Sequence, residues 1–113
     1  MKLAIIGSRS IEIENIEDYI TDEVSEIVSG GARGVDSCAR EYAMKRGISL
    51  VEFLPDYKRY GKGAPLRRNE EIAKYADGVL AFWDGCSKGT AYTLRCFEKE
   101  KKSTTVILIK AAK

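Results

Sequence analysis

The chain contains no histidine, and only three cysteines, Cys38, Cys86 and Cys96. The first absence removes histidine-based acid–base and nucleophilic chemistry. The second, an odd number without metal-ligand spacing, leaves no donor set for a structural zinc ion, so no metal is expected. Cys86 stands just before a helix start, but no base partner is visible and a cysteine nucleophile is not expected. Unpaired thiols fit a reducing, cytoplasmic compartment. No apolar run reaches the ~18 residues of a membrane span. The N-terminal KLAIIG goes straight into a strand-like run, without the layout of a signal peptide. A membrane partner is therefore not expected.

Basic residues are missing from one long stretch. Between Ser10 and Ala32 there is no Lys or Arg, against seven acidic residues. From Asp56 to Arg68 the balance inverts to five basic residues and one acidic, while the whole chain nets only +2. The first stretch reads as a solvated acidic surface, the second as a surface able to hold an anion.

What is present is an ordinary globular composition, 44% hydrophobic and 32% charged over 113 residues. That is enough for one domain, residues 1–113, with a core of its own. Apolar runs and helical periodicity alternate along it. Strands are expected at Lys2–Ile6, Ile27–Val28, Ser49–Leu54, Val79–Trp83 and Thr104–Ile109. A short amphipathic helix is expected near Ile16–Thr21, where Ile16, Tyr19 and Ile20 share a face. A second helix is expected from Val35 to Arg46, with Val35, Cys38, Ala39, Tyr42 and Ala43 inward and Gly47 as its stop. Pro55–Ala64 reads as a loop. A helix starts at Pro65, with Leu66, Asn69, Ile72, Ala73 and Ala76 on its apolar face. A last helix runs from Thr90 to Lys101, N-capped by Ser87, with Ala91, Leu94 and Phe97 inward. Strands alternating with helices at this spacing give an α/β fold, a parallel sheet of about five strands with helices on both faces. The strand order is not readable from spacing. Tyr75, Tyr92 and Phe97 on the last two helices exceed what a small sheet covers, which points to a homodimer through helices.

The chemistry gathers at one end of the strands. SGGARGVD, Ser29–Asp36, follows a strand and opens a helix. Gly30, Gly31 and Gly34 free the backbone to turn N–H groups toward a phosphate, and the helix adds its positive end. Ala32 completes the turn, and Arg33 adds a fork-shaped charge suited to phosphate. The bland alternative is a tight turn whose glycines only permit the turn. Gly7, Ser8 and Arg9 end the first strand. Asp84–Thr90 follows the fourth, where Gly85, Ser87, Lys88, Gly89 and Thr90 offer N–H, hydroxyl and ammonium groups. It is not the G-x-x-x-x-G-K-[ST] loop of P-loop nucleotidases, so hydrolysis of that type has no support. In open parallel sheets the ligand sits outside the carboxyl ends of the strands, where their order reverses. Small and basic residues at three such ends point to an anionic, phosphate-bearing ligand. Arg67, Arg68 and Asn69 start a helix where basic residues oppose the dipole, which argues for a specific use. Tyr57 and Tyr60 sit among basic residues, able either to stack on a base or to pack on a neighbouring element. Asp36 and Asp84 are the carboxylates beside the glycine turns. Each can accept from a ribose hydroxyl or act as a general base, and Asp36 can equally stabilise the first turn of its helix.

GSR, SGGARGVD, RRN and a fourth strand followed by DGCSKGT together resemble the SLOG superfamily. That group includes the DNA-processing protein A/Smf proteins and the LOG phosphoribohydrolases, and the chain is most similar to its YspA-like branch. The resemblance spans nearly the whole chain. It implies a three-layer Rossmann-like fold and a nucleotide-derived or nucleic-acid ligand at the glycine motifs, without a further cofactor. The LOG enzymes carry PGGxGTxxE, whose Glu takes part in cleaving an N-glycosidic bond. In DGCSKGTAYT, Thr93 occupies that Glu position. A hydroxyl cannot replace a carboxylate beside an oxocarbenium-like centre. The expected function is therefore nucleotide-derivative binding, as a sensor or processing protein. A nucleotide or N-glycoside hydrolase using Asp36 or Asp84, and a single-stranded nucleic-acid binder using Tyr57–Arg68, are the alternatives.

Overall fold

Five short apolar runs form one all-parallel sheet: β1 (Lys2–Gly7), β2 (Glu26–Ser29), β3 (Ser49–Glu52), β4 (Gly78–Trp83) and β5 (Ser103–Leu108). A computed structural model describes residues 1–8, 11, 13–31 and 34–109. The strand order is β3-β2-β1-β4-β5. The chain thus runs outward from β1 to one edge and then returns past β1 to build the other half. The order reverses between β1 and β4, which lie side by side with Ile5 opposite Leu80 and Gly7 opposite Phe82.

Side chains alternate across the sheet, and each face has its own core. Ile5, Ile27, Leu80 and Phe82 point to the face covered by α1 (Val35–Arg46) and by a 3-10 turn at Ile16–Tyr19. Ala4, Ile6, Val28, Val79 and Ala81 point to the other face, covered by α3 (Ala64–Tyr75) and α4 (Lys88–Lys99). The result is the expected three-layer Rossmann-like fold.

Several local expectations meet their structural reasons. α1 ends at Gly47, left-handed at φ 66, whose N–H donates to the carbonyls of Ala43 and Met44. α3 carries Pro65 in its first turn, and the Lys102 ammonium donates to the carbonyls of Ala73 and Lys74 at its last. β3 stops at Glu52 rather than Leu54, and the first helix shortens to the 3-10 turn. Pro55–Ala64 is not a plain loop. α2 (Tyr57–Tyr60), capped by the Asp56 side chain, leads through a 3-10 turn at Gly61–Gly63 into α3. α4 starts at Lys88 rather than Thr90, and the Ser87 side chain makes no cap bond to it. Leu66, assigned to the apolar face of α3, is 45% exposed, because that first turn overhangs the sheet end.

The aromatic residues expected to need a second copy are accounted for within the chain. Phe97 is fully buried. The Tyr75 hydroxyl donates to Glu26 at 2.6 Å and that of Tyr92 to Glu70 at 2.8 Å. They therefore supply no argument for a dimer.

At Gly7 the start of α1 packs directly against the sheet. A Cβ there would lie 2.4 Å from Val35 Cγ2 and 2.6 Å from the Phe82 carbonyl oxygen. One of these neighbours is backbone of the central strand pair and cannot step aside. Gly7→Ala should therefore destabilise the fold by roughly 1–3 kcal/mol, the range for overpacking. Urea denaturation of the variant against the wild type checks this.

Candidate functional site

A cavity of about 440 Å³ opens at the carboxyl ends of β1, β2 and β4, over the point where the strand order reverses. Its walls come from elements far apart in sequence. Gly7 and Ser8 leave β1, Gly30 and Asp36 flank the turn into α1, and Arg68 and Asn69 belong to the first half of α3. Asp84, Ser87, Gly89 and Thr90 form the turn after β4 and the start of α4. The parallel sheet brings these segments together because every strand delivers its following turn to the same end.

Ten of the residues singled out from the sequence thus meet in one cavity. Gly31, Gly34, Arg67, Gly85 and Lys88 do not line it. Gly31 and Gly34 serve the turn itself, at φ 71 and 70. The Gly31 N–H donates to Ser29 Oγ at 3.2 Å rather than standing open to a ligand. Arg67 faces away, within 3.7 Å of Glu70 and over the Tyr60 ring. Arg9, Ala32 and Arg33 lie outside the described residues. Ile6, Pro65, Leu66, Ile72 and Thr93 also line the cavity and were not singled out for it. Thr93 carried a signal, since it follows Thr90 by three residues and shares its helix face.

Arg68 has a structural duty here. Its Nη1 donates to the Gly30 carbonyl at 2.8 Å and to the Phe53 carbonyl at 3.4 Å, and its Nε to Asn69 Oδ1 at 2.7 Å. α3 is thereby tied to the ends of β2 and β3. Gly30 must be glycine for this reason: a Cβ would meet Arg68 Nη1 at 2.5 Å and Asp36 Oδ2 at 3.1 Å. Gly89 is different, since a Cβ there would meet nothing within 4 Å. The first turn of α4 is open space with the unpaired N–H groups of a helix start facing it.

The hydroxyls differ in how far they are engaged. Thr93 is buried and its Oγ1 donates back to the Gly89 carbonyl at 2.9 Å. Thr90 Oγ1 reaches Ser87 Oγ at 3.4 Å. Ser8 is 6% exposed, yet its Oγ has no hydrogen-bond partner. Asp84 Oδ1 accepts from the N–H groups of Cys86 and Ser87, both at 2.8 Å. Those two bonds are the main reason its carboxyl sits below the usual range, with the nearby Ser8 hydroxyl assisting. Ser8 is thus near enough to favour the charge, while its geometry forms no hydrogen bond. Among the described residues, no group of acidic or cysteine side chains could hold a metal ion. No described helix is long and apolar enough to cross a membrane.

A sequence profile of the YspA, cpYpsA-related SLOG family matches residues 1–60. The chain belongs to that family. The matched half holds β1, β2, the glycine turn and α1, so two of the four segments that wall the cavity of this SLOG protein lie in the stretch by which the family is recognised. No curated protein and no solved structure matches it.

The depressed Asp84 pKa fixes a sign for acid stability. A carboxyl whose folded pKa is below its unfolded value adds stability above the unfolded value, about 3.9, and that part is lost as pH falls through the folded pKa. Asp77 is shifted the same way, chiefly by the Lys2 N–H. Stability of this SLOG protein should therefore fall below about pH 4. Asp84→Asn, which keeps an oxygen for the two N–H groups, should flatten that fall without removing it. Denaturation midpoints at pH 7 and pH 3 for both proteins check the slope.

Proposed function

We propose that the protein binds a nucleotide or nucleotide-derived small molecule in the carboxyl-end cavity, as a sensor or processing protein. Family membership and the parallel α/β fold agree with a nucleotide-related ligand. The observation that carries the reading is the start of α4. There Gly89 leaves open space beside Thr90, in the same cavity as a buried, unpartnered Ser8 hydroxyl. A helix N-terminus of this kind favours phosphate through its N–H groups and dipole. From the first glycine motif Gly30 lines the cavity with Ser8, and in this proposal Arg9 and Arg33, outside the described residues, add the charge. Among the described lining residues the charges are Arg68 against Asp36 and Asp84. Helix-end amides and the two arginines outside the described residues would therefore carry the anion.

The hydrolase alternative, using Asp36 or Asp84, is the weaker reading, because the Cys86 and Ser87 N–H groups on Asp84 Oδ1 lower its carboxyl pKa and make it a poorer general base. The nucleic-acid alternative keeps one specific observation. Tyr57 is 58% exposed beside Lys58 and Arg59, whereas Tyr60 is already engaged by the guanidinium groups of Arg59 and Arg67. A salt-dependent gel shift separates it from small-molecule binding. The cytoplasmic location expected from the cysteines belongs to the same proposal, and so does the homodimer, now without its aromatic argument.

A thermal-shift screen against ADP-ribose, NAD and AMP should raise the Tm with at least one of them. Gly89→Ala then separates site from scaffold. It should raise the Tm of the free protein, since Ala in a helix is better than Gly by up to about 1 kcal/mol. It should also weaken the ligand found by the screen, because the new methyl group occupies the phosphate approach. Calorimetric titration of the folded variant reads the second effect, and unchanged affinity would remove α4 from the site.

A further inference from the structure

We propose that Asp84 and Ser8 together read the ribose of the bound nucleotide, so that the site selects ribonucleotides over their 2′-deoxy counterparts. This rests on the nucleotide reading above and narrows it.

The two groups are adjacent turns of neighbouring strands, brought together where the strand order reverses. The backbone of Ser8 is already used, its N–H on the Phe82 carbonyl and its carbonyl on the Ile11 N–H. Only its side chain is left over, and it is more than nine-tenths buried against the cavity with no partner. A buried hydroxyl without a partner is a cost that a ligand removes by hydrogen bonding to it.

Asp84 supplies the complementary half. Its Oδ1 is occupied by the Cys86 and Ser87 N–H groups, which fix the plane of the carboxylate. No hydrogen bond to its Oδ2 forms among the described residues, although the Ser8 hydroxyl lies close enough to the carboxylate to favour its charge. Those N–H groups also favour the ionised form, so the open oxygen is an acceptor only. An acceptor-only oxygen repels a phosphate and pairs with a donor. Next to it stands Ser8 Oγ, which can donate or accept. Adjacent hydroxyls on one sugar ring match this pair: one donates to Asp84 Oδ2, and its neighbour bonds Ser8 Oγ. The open start of α4, at Gly89 and Thr90, lies on the same wall and suits the phosphate of the same molecule. Removing one hydroxyl strands a buried polar group, which is how a polar site rejects an analogue lacking it.

Calorimetric titration of AMP against 2′-deoxy-AMP, and of ADP against 2′-deoxy-ADP, tests this on the wild type, Asp84→Asn and Ser8→Ala. Asp84→Asn retains an oxygen for the turn but turns the open acceptor into a donor. The ribo form should bind the wild type at least about tenfold more tightly, and the ratio should fall toward one in both variants. Should Asp84→Asn fail to fold by circular dichroism, Ser8→Ala decides alone. Equal binding of ribo and deoxy forms to the wild type would overturn the ribose assignment and leave the nucleotide reading standing. A preserved ratio in folded Ser8→Ala would overturn it likewise. Binding of neither form would count against the nucleotide reading itself, and the ribose assignment would fall with it.

Discussion

The guanidinium of Arg68 holds the working end of this molecule together. It reaches from α3 across the sheet to the carbonyls of Gly30 and Phe53, two backbone groups at strand ends where the ladder no longer satisfies them. A charged hydrogen bond to such a group contributes about 1.5–3 kcal/mol. It also sets geometry. With α3 fixed to the ends of β2 and β3, its first turn stands over the sheet as one wall of the cavity. The opposite wall, α4, is fixed differently, through the Asp84 carboxylate that gathers the Cys86 and Ser87 N–H groups. The cavity is the space between two helix starts, each anchored by one charged side chain.

This arrangement changes what the glycines mean. Gly7 and Gly30 are excluded from carrying a Cβ by protein neighbours, Val35 and Phe82 in one case and Arg68 in the other. Gly31 and Gly34 are needed for backbone conformation. Of the glycines at the strand ends that line the cavity, Gly89 alone faces open space. The motif that organises the sequence, SGGARGVD, is thus in good part a device for bringing α1 and Arg68 close to the sheet. The less regular DGCSKGT segment carries the more open surface.

Much of the fold was legible in the residues, and the failures share a cause. α1 was bounded correctly because Gly34 and Gly47 punctuate a clear helical period. The sheet was legible because its strands are continuous apolar runs, as burial on both faces requires. The α2 helix is not legible in the sequence because YKRY buries no residue and shows no apolar period; Asp56, as an N-cap, is its one signal. α4 starts two residues before Thr90 with Ser87 at its N-cap as expected, and the turn into it is held by the upstream Asp84 rather than by the Ser87 side chain. Strand order depends on which turns pack together and leaves no trace in spacing. Ten cavity residues were legible because strand-end residues of a parallel sheet must converge. The job of Arg68 was not, because a side chain bonding backbone carbonyls thirty-eight and fifteen residues away leaves no local pattern.

The central claim is that the ligand site is the carboxyl-end cavity between β1 and β4. Amide chemical-shift mapping by NMR during titration with ADP-ribose tests it most directly. The account predicts that the amides of Ser8, Gly30, Gly89 and Thr90 shift together and saturate with a single Kd. Shifts confined to Tyr57, Lys58 and Arg59, with the cavity amides unmoved, would contradict it.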